Sequence, residues 1–331
     1  MKLTQAQLIG GLSTILAALF LLSLFIGANP IPLFQAARDA LLDTPSVIAL
    51  IFSEVRLPRA LIAVVTGATL GLCGAAMQGL LRNPLASPGL IGSASGAALG
   101  AVCMLYFGLG AVLPMALPAG GIVGAMAATF LVYLLVGRDA GTLTLILAGV
   151  AINAMALALI SLLLNLAPSP YATREIVLWM MGSIANHSMD DFQIMLPGIL
   201  LGWFLLIGTG RSLDALTLGE EAATTMGFSL SRLRWRIFIA IALAVGSAIS
   251  ITGSIGFIGL VVPHLLRPLV DHQPSRLLLT SAIGGAILLL AADICVRLFP
   301  AGTDIKVGVL TSLVGAPFFL YLIIKSRRYI L

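Results

Sequence analysis

Charged side chains are scarce in this chain of 331 residues, of which only 9% are Asp, Glu, Lys or Arg. Hydrophobic residues make up 60% of the chain, and the mean hydropathy is +1.11. A soluble domain of this size cannot hide so much apolar surface, so the composition predicts an integral membrane protein with many helices. The formal net charge of +5 comes mostly from arginines at the ends of apolar runs, which is typical of topology signals rather than of nucleic-acid binding.

Motifs for covalent chemistry and nucleotide binding are missing as well. None of the three lysines follows a glycine, which excludes a P-loop, and there is no HExxH sequence. The three cysteines each lie inside an apolar run, where we expect small core residues rather than disulfides or metal ligands. The three histidines show no ligand spacing. We therefore expect no catalytic residue, no metal site and no cofactor in this chain.

Uncharged runs of about twenty residues predict ten transmembrane helices, and hence an all-α polytopic membrane protein forming a single domain over residues 1–331. The Pro114–Pro118 region separates the third span from the fourth, which Arg138 and Asp139 close. The predicted spans are 8–27, 60–81, 90–109, 119–137, 143–166, 192–210, 236–253, a short eighth segment ending near His264, 277–297 and 307–324.

Ten spans place both termini on one side of the membrane. Twelve basic residues fall on that side and six on the other, which predicts that it is the cytoplasmic side. The eighth segment is short enough to be re-entrant instead, in which case the two ends of the chain would lie on opposite sides.

Residues 211–236, the polar segment, carry seven charges in 26 positions between long apolar runs. Thr217 and Glu220 have capping-box spacing, and Gly227 falls where a C-terminal glycine is expected. The pattern predicts a short helix over about 218–226, then a second helix capped by Ser229 or Ser231. A helix this short is unstable alone in water, so we interpret it as a docking element, with a solvated loop as the alternative.

Small residues and rare buried charges indicate how the helices pack. Glycines at four-residue intervals allow close helix approach in lipid; they are Gly67 and Gly71, Gly92, Gly96 and Gly100, and Gly120 and Gly124. Asp293 stands four residues before Arg297 within an apolar run, which predicts a same-face ion pair. Since ion-coupled carriers usually keep buried carboxylates, their near absence predicts that a partner supplies the energy.

Short motifs occur in a fixed order along nearly the whole chain. They are Arg56-Leu-Pro-Arg59, Gly74-Ala-Ala-Met-Gln78, Arg82-Asn-Pro-Leu-Ala-Ser-Pro-Gly89, Leu147-Ala-Gly-Val-Ala-Ile-Asn153, Trp179-Met-Met-Gly-Ser183, Leu218-Gly219 with Gly227, Gly256-Phe-Ile-Gly-Leu-Val-Val-Pro-His264 with Arg267, and Gly315-Ala-Pro-Phe318. Together they resemble the FecCD-type permease family, the membrane subunits of ABC importers for iron(III)-siderophores, haem and cobalamin. The resemblance implies a type II ABC importer permease fold in the bacterial inner membrane.

The resemblance also implies roles for particular residues. The segment at about 211–235 matches the family's coupling helices, which contact the ATPase, here through Thr217, Leu218, Gly219, Glu220, Ala222, Met226 and Gly227. Outward arginines that receive acidic residues of the periplasmic binding protein match Arg56, Arg59 and Arg297; snorkelling to lipid phosphates, or pairing of Arg297 with Asp293, is the alternative. The pathway and its cytoplasmic gate match Asn83, Pro84, Thr142 and Leu143, although a leucine departs from the small polar residues common there.

The implied partners are a second permease copy or a homologue, two ATPase subunits that bind ATP and Mg, a periplasmic substrate-binding protein and membrane lipid, but no nucleic acid. The chain is then a non-enzymatic permease that moves an iron chelate, a siderophore complex or haem, into the cytoplasm by alternating access. A cobalamin permease of the same family and a stand-alone secondary carrier remain the alternatives. We expect His264 and Arg267 to anchor the inner end of the eighth segment rather than to touch substrate.

Overall fold

The computed structural model describes residues 4–27, 32, 35, 38–39, 42, 46–113, 115–137, 142–299 and 305–327, and within these ranges it contains helices and no strand. A π-helical turn covers Phe52–Arg56, and 3-10 turns cover Pro88–Ile91 and Arg267–Val270. The α-helices are α1 (Gln5–Phe25), α2 (Val47–Ile51), α3 (Leu57–Leu81), α4 (Ser93–Tyr106), α5 (Leu109–Val112), α6 (Ala116–Val136), α7 (Thr142–Asn165), α8 (Pro170–Met180), α9 (Met189–Leu206), α10 (Gly210–Leu216), α11 (Glu220–Thr225), α12 (Leu230–Thr252), α13 (Ile258–Leu266), α14 (Pro274–Arg297) and α15 (Val307–Arg327).

Seven helical segments of the described chain are long and apolar enough to cross a membrane: α1, the continuous helix Val47–Leu81, α6, α7, α9, α12 and α14. Three shorter apolar segments lie in α4, in Ile258–Val270 and in α15. Together they coincide with the ten predicted spans, although Pro114, Arg138 and Asp139 lie outside the described residues. The second span begins earlier than predicted, because the Ser46 hydroxyl accepts the amide of Ala49 at 3.0 Å and starts a helix that continues into α3.

Two helices form the centre of the bundle. In each of the segments Val47–Leu81 and Leu230–Thr252, 78% of the most apolar window is buried, compared with 17–33% in α1, α6, α7 and α9. Helix α14 packs against α3 and is 61% buried over its window. The outer helices therefore keep apolar side chains exposed on the outside of the bundle, as expected where the surroundings are lipid.

The closest helix contacts are made by glycines facing backbone carbonyl groups. A Cβ added at Gly71 in α3 would lie 2.0 Å from the carbonyl oxygen of Ser281 in α14. A Cβ added at Gly100 in α4 would lie 1.9 Å from the carbonyl oxygen of Gly120 in α6. The glycine spacing therefore marks packing seams as predicted, except that Gly92 precedes α4 in a left-handed conformation with φ of +72°.

Hydrogen bonds between helix ends define two faces of the bundle. On the arginine face, Arg297 at the end of α14 donates to the carbonyl oxygens of Ser23 and Ile26 at the end of α1, at 2.7 and 3.0 Å. On the polar-segment face, the Asp214 carboxylate accepts the amide of Ser275 at the start of α14, at 2.8 Å. Because the 24 residues of α14 extend about 36 Å, the two faces lie on opposite sides of the bundle.

The eighth segment crosses the bundle. Helix α12 starts at the polar-segment face and its 23 residues extend about 35 Å towards the arginine face. Helix α14 starts at the polar-segment face too, beside Asp214. Residues 253–273 must therefore return to the polar-segment face. Helical residues Ile258–Val270 supply about 20 Å of this path and the non-helical residues 253–257 supply the rest. The re-entrant alternative is wrong, because α12 and α14 both begin at one face.

We predict that Gly71→Ala lowers the stability of the protein by about 1–3 kcal/mol, since the new methyl group would collide with a backbone carbonyl group that cannot rotate away. The midpoint of thermal unfolding in detergent measures the effect. Gly10→Ala in α1 is the matched control, because nothing lies within 4 Å of a Cβ added there. Equal midpoints for the two variants would contradict close packing at this seam.

Candidate functional site

The polar segment folds into two short helices rather than one. Helix α10 ends at Leu216, and the Thr217 hydroxyl donates to the carbonyl oxygen of Asp214 in that helix at 2.7 Å. Gly219, with φ of +114°, then separates α10 from α11, which begins at Glu220. The predicted capping box of Thr217 and Glu220 is wrong, because Thr217 closes the preceding helix.

The C-terminal end of α11 is closed as the sequence predicts. Gly227 has φ of +88°, its amide donates to the carbonyl oxygen of Thr224 at 2.9 Å, and the amide of Phe228 donates to that of Ala223 at 3.1 Å. This pair of bonds is a Schellman motif, in which glycine takes the left-handed position. Of the two predicted caps for the next helix, Ser229 is the one used, since its hydroxyl accepts the amide of Arg232 at 3.5 Å.

Two side-chain contacts tie the polar segment to the bundle. Glu220 forms an ion pair with Arg234 of α12 at 2.9 Å. The Asp214 carboxylate accepts the Gln273 side-chain amide at 3.0 Å and the Ser275 amide at 2.8 Å, and thereby caps α14. Sequence reasoning missed both contacts, because partners this far apart in the chain leave no local pattern. A force on the polar segment would therefore be passed to α12 through Glu220 of α11 and to α14 through Asp214 of α10.

The outer surface of α11 is flanked by exposed apolar side chains. Leu218 is 70% exposed and Met226 is 58% exposed. Gly219 and Ala222 are partly buried, and Ala223 is fully buried beneath them. Two large apolar side chains held out from a capped helix form a surface that suits a protein partner. The assignment of these residues to an ATPase contact stays a prediction.

A second feature is the break after α3. Arg82, with φ of 49°, ends the helix, and the Asn83 side-chain oxygen accepts the amide of Leu85 at 2.9 Å. Pro84 is exposed in the turn that follows. The helix therefore ends at Leu81, where the predicted span 60–81 ends, and the Asn83 side chain supplies a hydrogen bond to the turn that follows.

From this break the chain turns back into the bundle. A Cβ added at Gly259 would lie 2.7 Å from the carbonyl oxygen of Leu70 and 3.1 Å from Cδ of Pro88. Leu70 stands eleven residues before the end of α3, so Pro88 lies roughly 16 Å below that end. Gly259 of α13, which follows the non-helical residues 253–257, therefore meets the break at this depth. Non-helical backbone is stable there only when protein or a cavity surrounds it.

Helix α7 packs against the same break. A Cβ added at Gly149 of α7 would lie 1.6 Å from the carbonyl oxygen of Leu90. Thr142 begins α7, although the side chain of Thr142 lies outside the described residues. Leu143 is 70% exposed. The elements that carry the predicted gate residues are therefore in contact, and gating itself stays a prediction.

A buried polar contact fixes the inner end of the eighth segment. Arg267 donates to the side-chain oxygen of Gln78 in α3 at 2.5 Å, and the Gln78 amide donates to the carbonyl oxygen of Leu260 at 3.2 Å. His264 packs edge-on against Phe318 of α15, with ring centroids 6.3 Å apart. Both residues anchor the segment as predicted.

The arginine face is organised around one buried carboxylate. Asp293 is fully buried and accepts Nη2 of Arg59 at 2.8 Å and Nε of Arg297 at 2.8 Å. Arg56 donates to the carbonyl oxygens of Leu24 and Phe25 at 2.6 and 2.9 Å. The predicted pair of Asp293 and Arg297 is confirmed, and Arg59 is an additional partner that its spacing could not reveal. The C-terminal carbonyl groups of α1 receive their donors from this cluster.

Exposure distinguishes the three arginines predicted to dock a binding protein. The side chain of Arg59 is 20% exposed and that of Arg297 is 8% exposed, whereas Arg56 is buried. Arg59 is thus the arginine that a partner can reach with the least rearrangement. Docking stays a prediction for all three.

Potential metal ligands are dispersed over the described ranges, where no three His, Cys, Asp or Glu side chains converge on one point. Cys73, Cys103 and Cys295 are free thiols on different helices.

Comparison with known proteins gives consistent matches over most of the chain. The profile of the FecCD transport family matches residues 15–325. The hemin transport system permease protein HmuU of Yersinia pestis is 39% identical over 84% of this chain and 84% of its own length. The vitamin B12 import system permease protein BtuC of Vibrio cholerae is 37% identical over 83% of this chain and 82% of its own. A solved metal-chelate type ABC transporter in an inward-facing conformation superimposes with a TM-score of 0.85 at 32% identity, covering 97% of this chain and 100% of that one.

We predict that Asp293→Asn lowers stability by about 3–5 kcal/mol, because the buried guanidinium of Arg297 and the partly exposed one of Arg59 lose their only paired carboxylate among the described residues. Thermal unfolding in detergent measures the change. Glu175→Gln, an exposed carboxylate on α8, is the control and should leave the midpoint unaltered. An unchanged midpoint for Asp293→Asn would show that the cluster does not stabilise the fold.

Proposed function

The chain belongs to the FecCD transport family as the permease component of an ABC importer, and we propose that its substrate is an iron chelate, either a siderophore complex or haem. The 39% identity to a hemin permease and the superposition on a metal-chelate type transporter support this class. A vitamin B12 permease is almost as similar, at 37%, so cobalamin is the alternative substrate.

The observation that carries the coupling part of the proposal is the polar segment. It presents α11 with Leu218 and Met226 exposed. Glu220 links this helix to α12, and Asp214 links the preceding α10 to α14. We propose that an ATPase subunit covers this surface and that its nucleotide-driven closure moves the two helices. In this arrangement ATP and Mg bind in the partner, and the polar segment faces the cytoplasm.

A second permease subunit is the other proposed partner. Helix α7 buries one stripe of side chains, including Leu145, Ile152 and Ile160, against its own bundle. Leu147 and Leu162 on other sides of α7 are more than half exposed. We propose that this surface faces a homologous subunit or a second copy across a central pathway, through which substrate passes by alternating access.

We predict that Leu218→Asp reduces substrate-stimulated ATP hydrolysis by at least about tenfold, as removal of an interface anchor does. The assay uses proteoliposomes that contain the permease, its ATPase and a binding protein. Because Leu218 is 70% exposed, the variant should unfold at the same temperature as the unaltered protein.

Leu218→Met, which keeps the apolar contact, is the matched control and should retain stimulation. Normal stimulation in Leu218→Asp would contradict coupling through α11. Uptake that persists without the ATPase, or that follows an ion gradient, would instead support a secondary carrier. Competition between hemin, a ferric siderophore and cobalamin for uptake in the same vesicles identifies the substrate.

Docking of the binding protein on Arg59 requires a comparison of two variants. Arg59→Gln removes a partly exposed cation and also breaks the ion pair with Asp293. Asp293→Asn breaks the same pair but keeps the cation. We predict that Arg59→Gln weakens binding-protein affinity about fivefold or more and flattens its salt dependence, while Asp293→Asn preserves the salt dependence. Parallel losses in both variants would assign Arg59 a structural role alone.

A further inference from the structure

A cavity of about 300 Å³ lies within the polar segment, beside the turn that joins α11 to α12. Its volume is at the lower end of the range for small-ligand pockets. It is bounded by α10, the C-terminal end of α11 and the first turns of α12. The polar side chains that line it are Thr209, Ser212, Ser229, Arg232 and Arg236, and no carboxylate is among its lining residues.

The two arginines form an unbalanced positive pair. Arg232 and Arg236 are four residues apart on α12 and therefore share one face of the helix, where like charges repel. Within the described part of the chain, neither forms an ion pair. Two acidic side chains of the polar segment are engaged elsewhere, since Glu220 pairs with Arg234 and Asp214 caps α14, and Glu221 is not among the residues that line the cavity. The cavity thus has a positive potential that an anion would neutralise.

One of these guanidinium groups is already held in place. Arg236 donates through Nε and Nη2 to the carbonyl oxygens of Leu205 and Ile207 at the end of α9, which leaves Nη1 available. Arg232 is exposed, and its side chain contacts no acceptor among the described residues. A guanidinium held in place beside an exposed one suits a phosphate group, whose oxygens accept several charge-assisted hydrogen bonds.

The position of the cavity indicates how such a phosphate would be carried. The cavity lies where α9 ends and α12 begins, at the boundary of two membrane spans. Phe204 and Ile207, next to the carbonyl groups that hold Arg236, are 68% and 66% exposed. Apolar side chains beside a basic cavity at the membrane surface suit a ligand with an anionic head and acyl chains.

We propose that this cavity binds the phosphate group of an anionic membrane phospholipid. Arg232, Arg236 and the hydroxyl groups of Ser212 and Ser229 hold the head group, while the acyl chains lie along Phe204 and Ile207. The lipid would brace the end of α9 against α12, directly behind α11. The site adjoins the proposed ATPase contact and shares Gly227 with it, but the exposed anchors of that contact, Leu218 and Met226, do not line the cavity.

The test uses the full-length permease in nanodiscs of phosphatidylcholine with increasing fractions of phosphatidylglycerol. Lipid retained by the protein is counted by native mass spectrometry. We expect saturable retention of phosphatidylglycerol, and a loss of about fivefold in its affinity in Arg232→Gln, which is the contribution of one basic side chain near a charged lipid surface. The midpoint of thermal unfolding should not change, because Arg232 is exposed.

Arg211→Gln is the matched control, since Arg211 is an exposed arginine on α10 that does not line the cavity. Equal losses of phosphatidylglycerol affinity in the two variants would mean that the lipid is attracted by the overall positive charge of this face, and would overturn the proposed site. Equal retention of phosphatidylcholine would also overturn it. Displacement of the lipid by inorganic phosphate at millimolar concentration would exclude the lipid as the source of the phosphate. Displacement by the ATPase subunit would assign the cavity to the protein interface instead.

Discussion

A membrane helix must find partners for its backbone polar groups inside the protein, because the surrounding hydrocarbon offers none. The ends of the helices here show how this constraint is met. Arg56 and Arg297 donate to the last carbonyl groups of α1, and Arg236 donates to those of α9. Asp214 accepts the backbone amide of Ser275 at the start of α14. These charged side chains near the span boundaries are therefore each bonded to another segment, and the same few residues fix which helix ends meet.

Contacts of the same kind make the polar segment rigid. Helix α11 has only six residues and would not persist alone in water. Gly227 closes it with a Schellman motif, and Glu220 ties it to Arg234. Asp214 links the preceding helix to α14. The polar segment is thus rigid and attached to two helices of the bundle. One is α12, which is central, and the other is α14, which packs against the second central helix, α3. This arrangement can transmit force from the segment to the centre of the bundle.

The sequence was informative wherever the physics is local. Uncharged run lengths predicted the ten spans, glycine spacing predicted the seams at Gly71 and Gly100, and the position of Gly227 predicted the end of α11. The sequence did not reveal partners that are distant in the chain. The pair of Asp293 and Arg59 is an example, because the two residues lie on different helices and no spacing within one helix relates them. The capping box at Thr217 failed for another reason, because a preceding helix that the pattern did not reveal had already taken that residue.

The two non-helical stretches restrict where the bundle can bend. At the seams between α3 and α14 and between α4 and α6, even one added methyl group would collide with backbone, so each pair is closely interlocked. Residues 253–257 and the break after α3 are also closely packed, since a Cβ added at Gly182 would lie 2.3 Å from the carbonyl oxygen of Ser254 and one added at Gly149 would lie 1.6 Å from that of Leu90. They differ from the seams in being non-helical or in a short 3-10 turn, and Gly259 brings the two stretches together. Helix α13 lies between α12 and α14, the two helices attached to the polar segment. A displacement of that segment therefore acts on both ends of α13. The non-helical residues 253–257, beside Gly259, can accommodate this displacement by rotation about φ and ψ, without breaking helical hydrogen bonds.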